Sequence, residues 1–364
     1  MPAEPDARAR LGAQEHQRIF LEEILPDLAA TQHPQQQPLA VLLGGQPGIG
    51  KSSTKQAIVE ALAPHGGVVD FSADLLRPYH PRFDELLTGD ERDLAELDAA
   101  IDQDARGWVD LMIGHARDHQ LNAVVDSNLA NPDRARGFID QFREASYRVE
   151  VQFVAGSAAL SRLGVLQRYQ SQVDALGHGA YCATTIQARN YTGVFDTARM
   201  LDREVAVDRV VVSRRGGTVL HTQDRIDDGQ QMWWHPSPGA AGAIESERSR
   251  PWTSAERSWW LDSATTMAGR LAPDYLPDLH AAGALARPLI EPSSPDGRRL
   301  DQLLESVDQR MALAISTDQH PQVAPTAESH NDEIAREPAG HHNYHDDVEG
   351  YDTDYDDLSY GYDD

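Results

Sequence analysis

Residues Gly45-Gln46-Pro47-Gly48-Ile49-Gly50-Lys51-Ser52 satisfy the spacing G-x-x-x-x-G-K-[ST] without a gap. The chemistry such a loop performs is phosphate binding. Its glycines let successive backbone N–H groups turn inward around an anion, a conformation that a Cβ would obstruct. Lys51 can reach the β- and γ-phosphates of a nucleotide, and the Ser52 hydroxyl can ligate Mg²⁺. The nucleotide contacts expected from this loop are Gly45, Gln46, Pro47, Gly48, Ile49, Gly50, Lys51, Ser52 and the next residue, Ser53.

The loop alone does not separate a kinase from a hydrolase. Polar groups downstream carry that distinction. Val69-Asp70-Phe71 reads as a strand, and Asp74 follows its tip. Asp74 could accept a proton from an attacking hydroxyl, as base or orienter, or could cap a helix. Arg77 could steady an anionic substrate. His80-Pro81 reads as a packing turn. After Ala123-Val124-Val125 comes Asp126-Ser127-Asn128. Asp126 suits either of two roles: holding Mg²⁺ through water, or accepting hydrogen bonds from a sugar hydroxyl.

These residues need elements to position them. Leu39-Ala40-Val41-Leu42-Leu43 is a short apolar run fit for a buried parallel strand. After the loop, Ala57, Ile58, Ala61 and Leu62 recur at helical spacing until Pro64 and Gly66-Gly67. Residues 12–30, 91–119 and 132–145 read as helices, the last opened by Asn131-Pro132. Val149, Val151 and Phe153 alternate as a strand, and residues 209–221 form a hairpin around Arg214-Arg215-Gly216-Gly217. The β-α-β-α order predicts an α/β fold: a P-loop kinase-like, mainly parallel sheet with helices on both faces. Ligands in such sheets bind beyond the carboxyl ends of the strands. From about residue 236 the texture changes. Thr253-Ser254-Ala255-Glu256 is a capping box that opens a helical stretch. The expected organisation is a P-loop domain over 1–235, a helical extension over 236–317, and an acidic disordered tail over 318–364.

The net charge is −26 on 364 residues, which argues against non-specific binding to nucleic acid phosphates. Residues 318–364 hold 14 Asp and Glu against one Arg, so half of that charge is local. This tail is poor in aliphatic residues and cannot bury enough surface to fold alone. Its His341-His342-Asn343-Tyr344-His345-Asp346-Asp347 run fits no defined metal spacing. No stretch approaches the ~18 apolar residues of a membrane span. The first residues lack the apolar core of a signal peptide, and Cys182 is the lone cysteine. A cytoplasmic protein without internal disulfides is expected.

Taken together, the GGQPGIGKS loop, Asp74 with His80-Pro81 six residues on, the acidic motif at Asp126 and the Gln167-Arg168-Tyr169 run resemble the zeta toxin family. The likeness spans roughly residues 12 to 290 and takes in the 209–221 hairpin and the Glu247-Arg248-Ser249-Arg250-Pro251-Trp252-Thr253 stretch. The resemblance implies a toxin of a toxin–antitoxin system that moves the γ-phosphate of ATP, with Mg²⁺, to a hydroxyl of UDP-N-acetylglucosamine and starves cell-wall synthesis. By that likeness Asp74 is the catalytic base, Lys51 the phosphate clamp and Arg168 a cation on the transition state. Asp110, Asp126 and Asn128 match the family's sugar-nucleotide contacts. A small helical antitoxin that blocks the ATP site is the implied partner. Two departures stand out. Ala180 occupies the place of the family's second arginine, for which Arg162 or Arg189 could substitute, and Asp126 and Asn128 replace a Glu and a Thr. These departures leave open a different small-molecule hydroxyl as acceptor, or a degenerate member that binds nucleotide or a partner without turnover.

Overall fold

The computed structural model describes residues 10–88, 95–177, 179 and 181–318. Residues 319–364 of the acidic tail, with the His-rich run, and Ala180 therefore lie outside the described residues. Seven strands form one sheet: β1 Leu39–Gly44, β2 Val69–Phe71, β3 Ala123–Asp126, β4 Arg148–Ala155, β5 Arg209–Arg214, β6 Val219–Asp227 and β7 Met232–His235. Their spatial order is β2-β3-β1-β4-β5-β6-β7. The first five strands of that order are parallel, and β6 and β7 join antiparallel. β1 lies between β3 and β4, with Leu42 opposite both Val125 and Val151. From β1 the chain passes first to β2 and β3 on one side, then to β4 and β5 on the other. The tip of β1 is thus where the connections diverge, the place such sheets keep for a ligand.

The helices in chain order are α1 Ala13–Ile19, α2 Leu25–Ala29, α3 Lys51–Leu62, α4 Ala73–Leu76, α5 Phe83–Thr88, α6 Ala95–His119, α7 Pro132–Glu144, α8 Ala158–Leu176, α9 Thr184–Arg203, α10 Ala240–Ser249, α11 Ser254–Arg270, α12 Leu276–Ala286 and α13 Pro295–Asp318. α1 and α2 belong to the one leading helix expected over 12–30, with a wider π turn at Phe20–Ile24 between them. That turn keeps Ile19, Phe20, Ile24 and Leu28 all buried. α3 departs from the expected stripe: Ala57 and Ala61 are exposed. The packing face is instead Ile58, Val59 and Leu62 against Val41, Val68 and Val124. The two alanines carry too little apolar surface to draw the helix round onto them.

The core lies in two main clusters. One joins Phe71, Trp108, Met112, Phe138, Phe142 and Phe153. The other joins Leu43, Ile49, Val154, Leu160 and Leu163 to Trp252, Trp260, Leu279, Leu300 and Val307 of the C-terminal helices. The helices after residue 250 therefore share a core with the glycine loop and α8. Trp260 is fully buried, and its indole N–H donates to the Ala159 carbonyl at 3.2 Å. Truncating a tryptophan so placed costs about 3–5 kcal/mol. The capping box at Thr253 forms in full, with Thr253 Oγ1 accepting from the Glu256 N–H at 3.2 Å and Glu256 accepting from the Thr253 N–H at 2.7 Å. Among the described residues no helix is long and apolar enough to cross a membrane.

Candidate phosphate-transfer site

The glycine loop leaves β1 and closes on the first turn of α3. Gly48 and Gly50 take φ of +75° and +89°, the left-handed region that glycine occupies freely. At Gly48 the space is also closed: a Cβ there would sit 2.3 Å from the Ser161 carbonyl of α8. The Ser161 hydroxyl donates to the Pro47 carbonyl at 2.6 Å. Buried Gln46 donates through Nε2 to the Gly156 carbonyl at 2.8 Å. The loop is thus braced along one side by the end of β4 and the start of α8. On its other side the Gly45 N–H donates to the Asn128 carbonyl at 3.2 Å, and the Ser127 N–H to the Leu43 carbonyl at 3.1 Å.

Lys51 donates through Nζ to Asn128 Oδ1 at 2.9 Å and to the Gly45 carbonyl at 3.3 Å, and stands 3.8 Å from Asp126 Oδ1. Lys55, one turn on, pairs with Asp70 at 3.0 Å and reaches Asp126 Oδ2 at 4.0 Å. Asp126 therefore sits between two ammonium groups at the tips of β1 and β3. Sequence reading missed Lys55, although its spacing of four from Lys51 places it on the same helix face. Ser52 is exposed at the head of α3, and the Ser53 hydroxyl turns back to the Gly50 carbonyl at 3.3 Å.

Asp74 lies in the first turn of α4. The cap of that helix is Ser72, whose hydroxyl accepts from the Leu75 N–H at 3.0 Å. Asp74 is thereby released from the capping role; it is exposed, with no hydrogen-bond or ion-pair partner among the described residues. Arg168 is likewise exposed on α8 without a carboxylate partner among the described residues. What links these groups is Cys182. Burial pushes its thiol up, Arg168 opposes that shift, Asp74 adds to it, and Lys51 opposes it. The Cys182 thiol is thus within electrostatic range of all three charged groups. The lone cysteine was legible only as a compartment marker.

The segment carrying Cys182 is held by aromatic packing. Tyr169 meets Tyr181 edge-on at 5.8 Å and Tyr275 at 4.4 Å between ring centroids. Tyr181 hydrogen-bonds Asp278 of α12, and burial, then that bond, push its hydroxyl up. Arg162 acts on Tyr181 from α8, whereas Arg189 is exposed on α9.

Other expected site residues are placed elsewhere. Arg77 pairs with Asp98 of α6 and is not free to meet a substrate in this arrangement. Asp110 is exposed on α6, 3.7 Å from Arg134 of α7. His80 is buried. Its Nδ1 accepts from the Arg82 N–H at 3.2 Å, which leaves Nε2 as the N–H, 3.5 Å from Asp104 Oδ2. Asp104 also accepts from Arg10 at 3.0 Å and from the Leu11 N–H at 2.9 Å. Burial pushes its carboxyl up, but His80, the Leu11 amide and Arg10 together hold it below its ordinary value. This node ties the segment that follows α4 to α6 and to the start of the leading helix.

A central β1, a glycine loop braced on both flanks and a lysine at the strand tips define a P-loop α/β protein of the kinase-like type. The zeta toxin family model matches residues 24–226, more than half of the chain, and the chain belongs to that family. It is 27% identical over 180 residues to a zeta toxin of Streptococcus agalactiae, a stretch covering 46% of this chain and 61% of that protein. It is 23% identical over 187 residues to the toxin PezT of Streptococcus pneumoniae, covering 51% of this chain and 72% of that one. A structure from the PezAT chromosomal toxin–antitoxin system of S. pneumoniae superposes with a TM-score of 0.57 at 19% identity, over 71% of this chain and 98% of that one. At that identity the superposition speaks for the fold.

Proposed function

We propose that this chain is an ATP-dependent kinase that phosphorylates a hydroxyl of a sugar nucleotide, UDP-N-acetylglucosamine, and acts as a toxin held in check by an antitoxin. The observation that carries the reading is the glycine loop that sets Lys51 beside Asp126 at adjacent strand tips, in a chain of the zeta toxin family. In this reading the loop amides and Lys51 take the β- and γ-phosphates, with Lys51 exchanging Asn128 and Gly45 for phosphate oxygens. Asp74, free of other partners, accepts the proton of the acceptor hydroxyl, and Arg168 offsets charge on the transferring group. The oxygen donors of Ser52 and Asp126 suit a hard cation bound partly through water, and Mg²⁺ there would neutralise phosphate charge. Asp110 and Arg77 would serve the sugar nucleotide only after leaving Arg134 and Asp98.

Purified protein with ATP and Mg²⁺ is expected to form ADP and a phosphorylated sugar nucleotide only when UDP-N-acetylglucosamine is added. Asp74→Asn should cut that rate by about 10²–10⁴, the usual weight of a positioned general base. ADP formation that ignores the sugar nucleotide and survives Asp74→Asn would remove this mechanism. A second reading keeps the kinase and changes the acceptor. It is favoured by the engagement of Asn128 and Asp126 with Lys51 and Lys55, which draws them away from a sugar pocket. Mass spectrometry of a panel of hydroxyl acceptors separates the two.

A further inference from the structure

Arg248 belongs to α10, outside the residues matched by the family model. It nevertheless reaches the glycine loop: its Nη2 donates to Gln46 Oε1 at 3.3 Å. Its guanidinium carbon lies 3.7 Å from the ring centroid of Tyr191 on α9. Its Nε is buried and finds no hydrogen-bond acceptor, and burial pushes its pKa down. The neighbouring arginines are neutralised. Arg214 and Arg250 share Glu247 at 3.2 and 2.7 Å, and Arg250 also takes Glu256. Among the described residues Arg248 has no carboxylate partner. Glu245 acts on it only from beyond ion-pair distance, and a cation so weakly compensated in a desolvated place is costly. A second cation from the same side lines the loop. Arg215 packs along Gly50, its Cγ 3.2 Å from where a Cβ would stand, with its guanidinium 4.7 Å from the Trp259 ring.

We propose that Arg248 is a nucleotide-binding residue supplied by the C-terminal segment, its guanidinium taking an oxygen of the nucleotide's phosphate chain beside Gln46. The anion that Arg248 lacks in the protein is then the ligand itself. Its planar fork, already stacked on Tyr191, is oriented before the ligand arrives, which limits the entropy lost on binding. This proposal rests on the kinase reading and names a residue of that site contributed from outside the family core.

The test compares Arg248→Gln with Arg248→Lys. Glutamine keeps a donor for Gln46 without the charge; lysine keeps the charge without the fork. Titration calorimetry with ATP, ADP and adenosine is run on both variants and on the unaltered chain, with thermal melting as a check on folding. Arg248→Gln should weaken ATP and ADP about tenfold or more, the weight of a charge-assisted hydrogen bond, and leave adenosine unchanged. Arg248→Lys should recover only part of that loss, since it keeps the charge without the stacked fork. ATP bound by Arg248→Gln as tightly as by the unaltered chain would overturn the proposal, and so would an equal loss of adenosine. Should Arg248→Gln not fold, Arg248→Lys decides: a loss of several-fold or more in ATP and ADP affinity with adenosine unchanged supports the proposal, and ATP bound as tightly as by the unaltered chain rejects it. An unaltered chain that binds no nucleotide overturns the kinase reading as well, whereas nucleotide binding indifferent to Arg248 overturns this inference alone.

Discussion

The contact between the glycine loop and α8 sets a sharp expectation for Gly164→Ala. Gly164 lies inside α8, where alanine is intrinsically better than glycine by about 1 kcal/mol. Here the Cβ would stand 2.0 Å from the Gly48 carbonyl oxygen and 2.9 Å from its carbonyl carbon. Relief requires roughly an ångström of separation between two backbones, and neither can rotate out of the way as a side chain could. Overpacking of this kind costs about 1–3 kcal/mol or more, so the propensity gain is outweighed and the net effect is destabilisation of about 1–2 kcal/mol. The matched control is Gly137→Ala in α7, where an added Cβ meets nothing within 4 Å. That change should stabilise by up to about 1 kcal/mol. Urea unfolding followed by circular dichroism should therefore give shifts of opposite sign for two identical substitutions in helix interiors. Nucleotide affinity should fall with Gly164→Ala, because the loop is displaced, and hold with Gly137→Ala. A Gly164→Ala protein as stable as the unaltered chain, binding nucleotide equally well, would refute the claim that α8 forms the wall of the loop.

Two further expectations concern titrating groups. Burial pushes the Glu256 carboxyl up, but Arg250 and the Thr253 cap outweigh it and bring it down to about 2. A depressed carboxylate stabilises fully above its unfolded value and loses that contribution as pH falls through the folded one. The loss of stability between about pH 4.5 and 2 should be shallower in Glu256→Gln, as measured by denaturation at a series of pH values; an unchanged slope would reject the pairing. Asp74 helps hold the Cys182 thiol above its ordinary range. Asp74→Asn should therefore move the pH profile of Cys182 alkylation toward lower pH, and an unmoved profile would place Asp74 out of range of the thiol.

The parts of the site legible in the sequence are those whose chemistry is local. The glycine spacing implies a backbone cradle because the amides and the lysine come from eight consecutive residues. The apolar runs of β1 and β3 place Lys51 and Asp126 at adjacent strand tips, and the two are 3.8 Å apart. Side-chain commitments made across the fold are not local. Nothing near Arg77 in sequence announces Asp98, and nothing near Asp110 announces Arg134. Ser72 and Asp74 are both good cap residues by type, and only the backbone, by entering α4 at Ser72, assigns the cap to Ser72.

The least legible feature is a contact made across most of the chain. Gln46 and Arg248 are some two hundred residues apart, and only the return of the chain through β5, β6 and β7 sets α10 beside the loop. The cluster that joins Leu43 and Ile49 to Trp252, Trp260 and Leu279 explains why that return is durable. A helical segment that merely followed the sheet would need no such core in common with the glycine loop. Packed as it is, a change in α11 or α12 bears on the backbone of the glycine loop, and a ligand bound to that loop would stabilise the C-terminal helices by the same coupling.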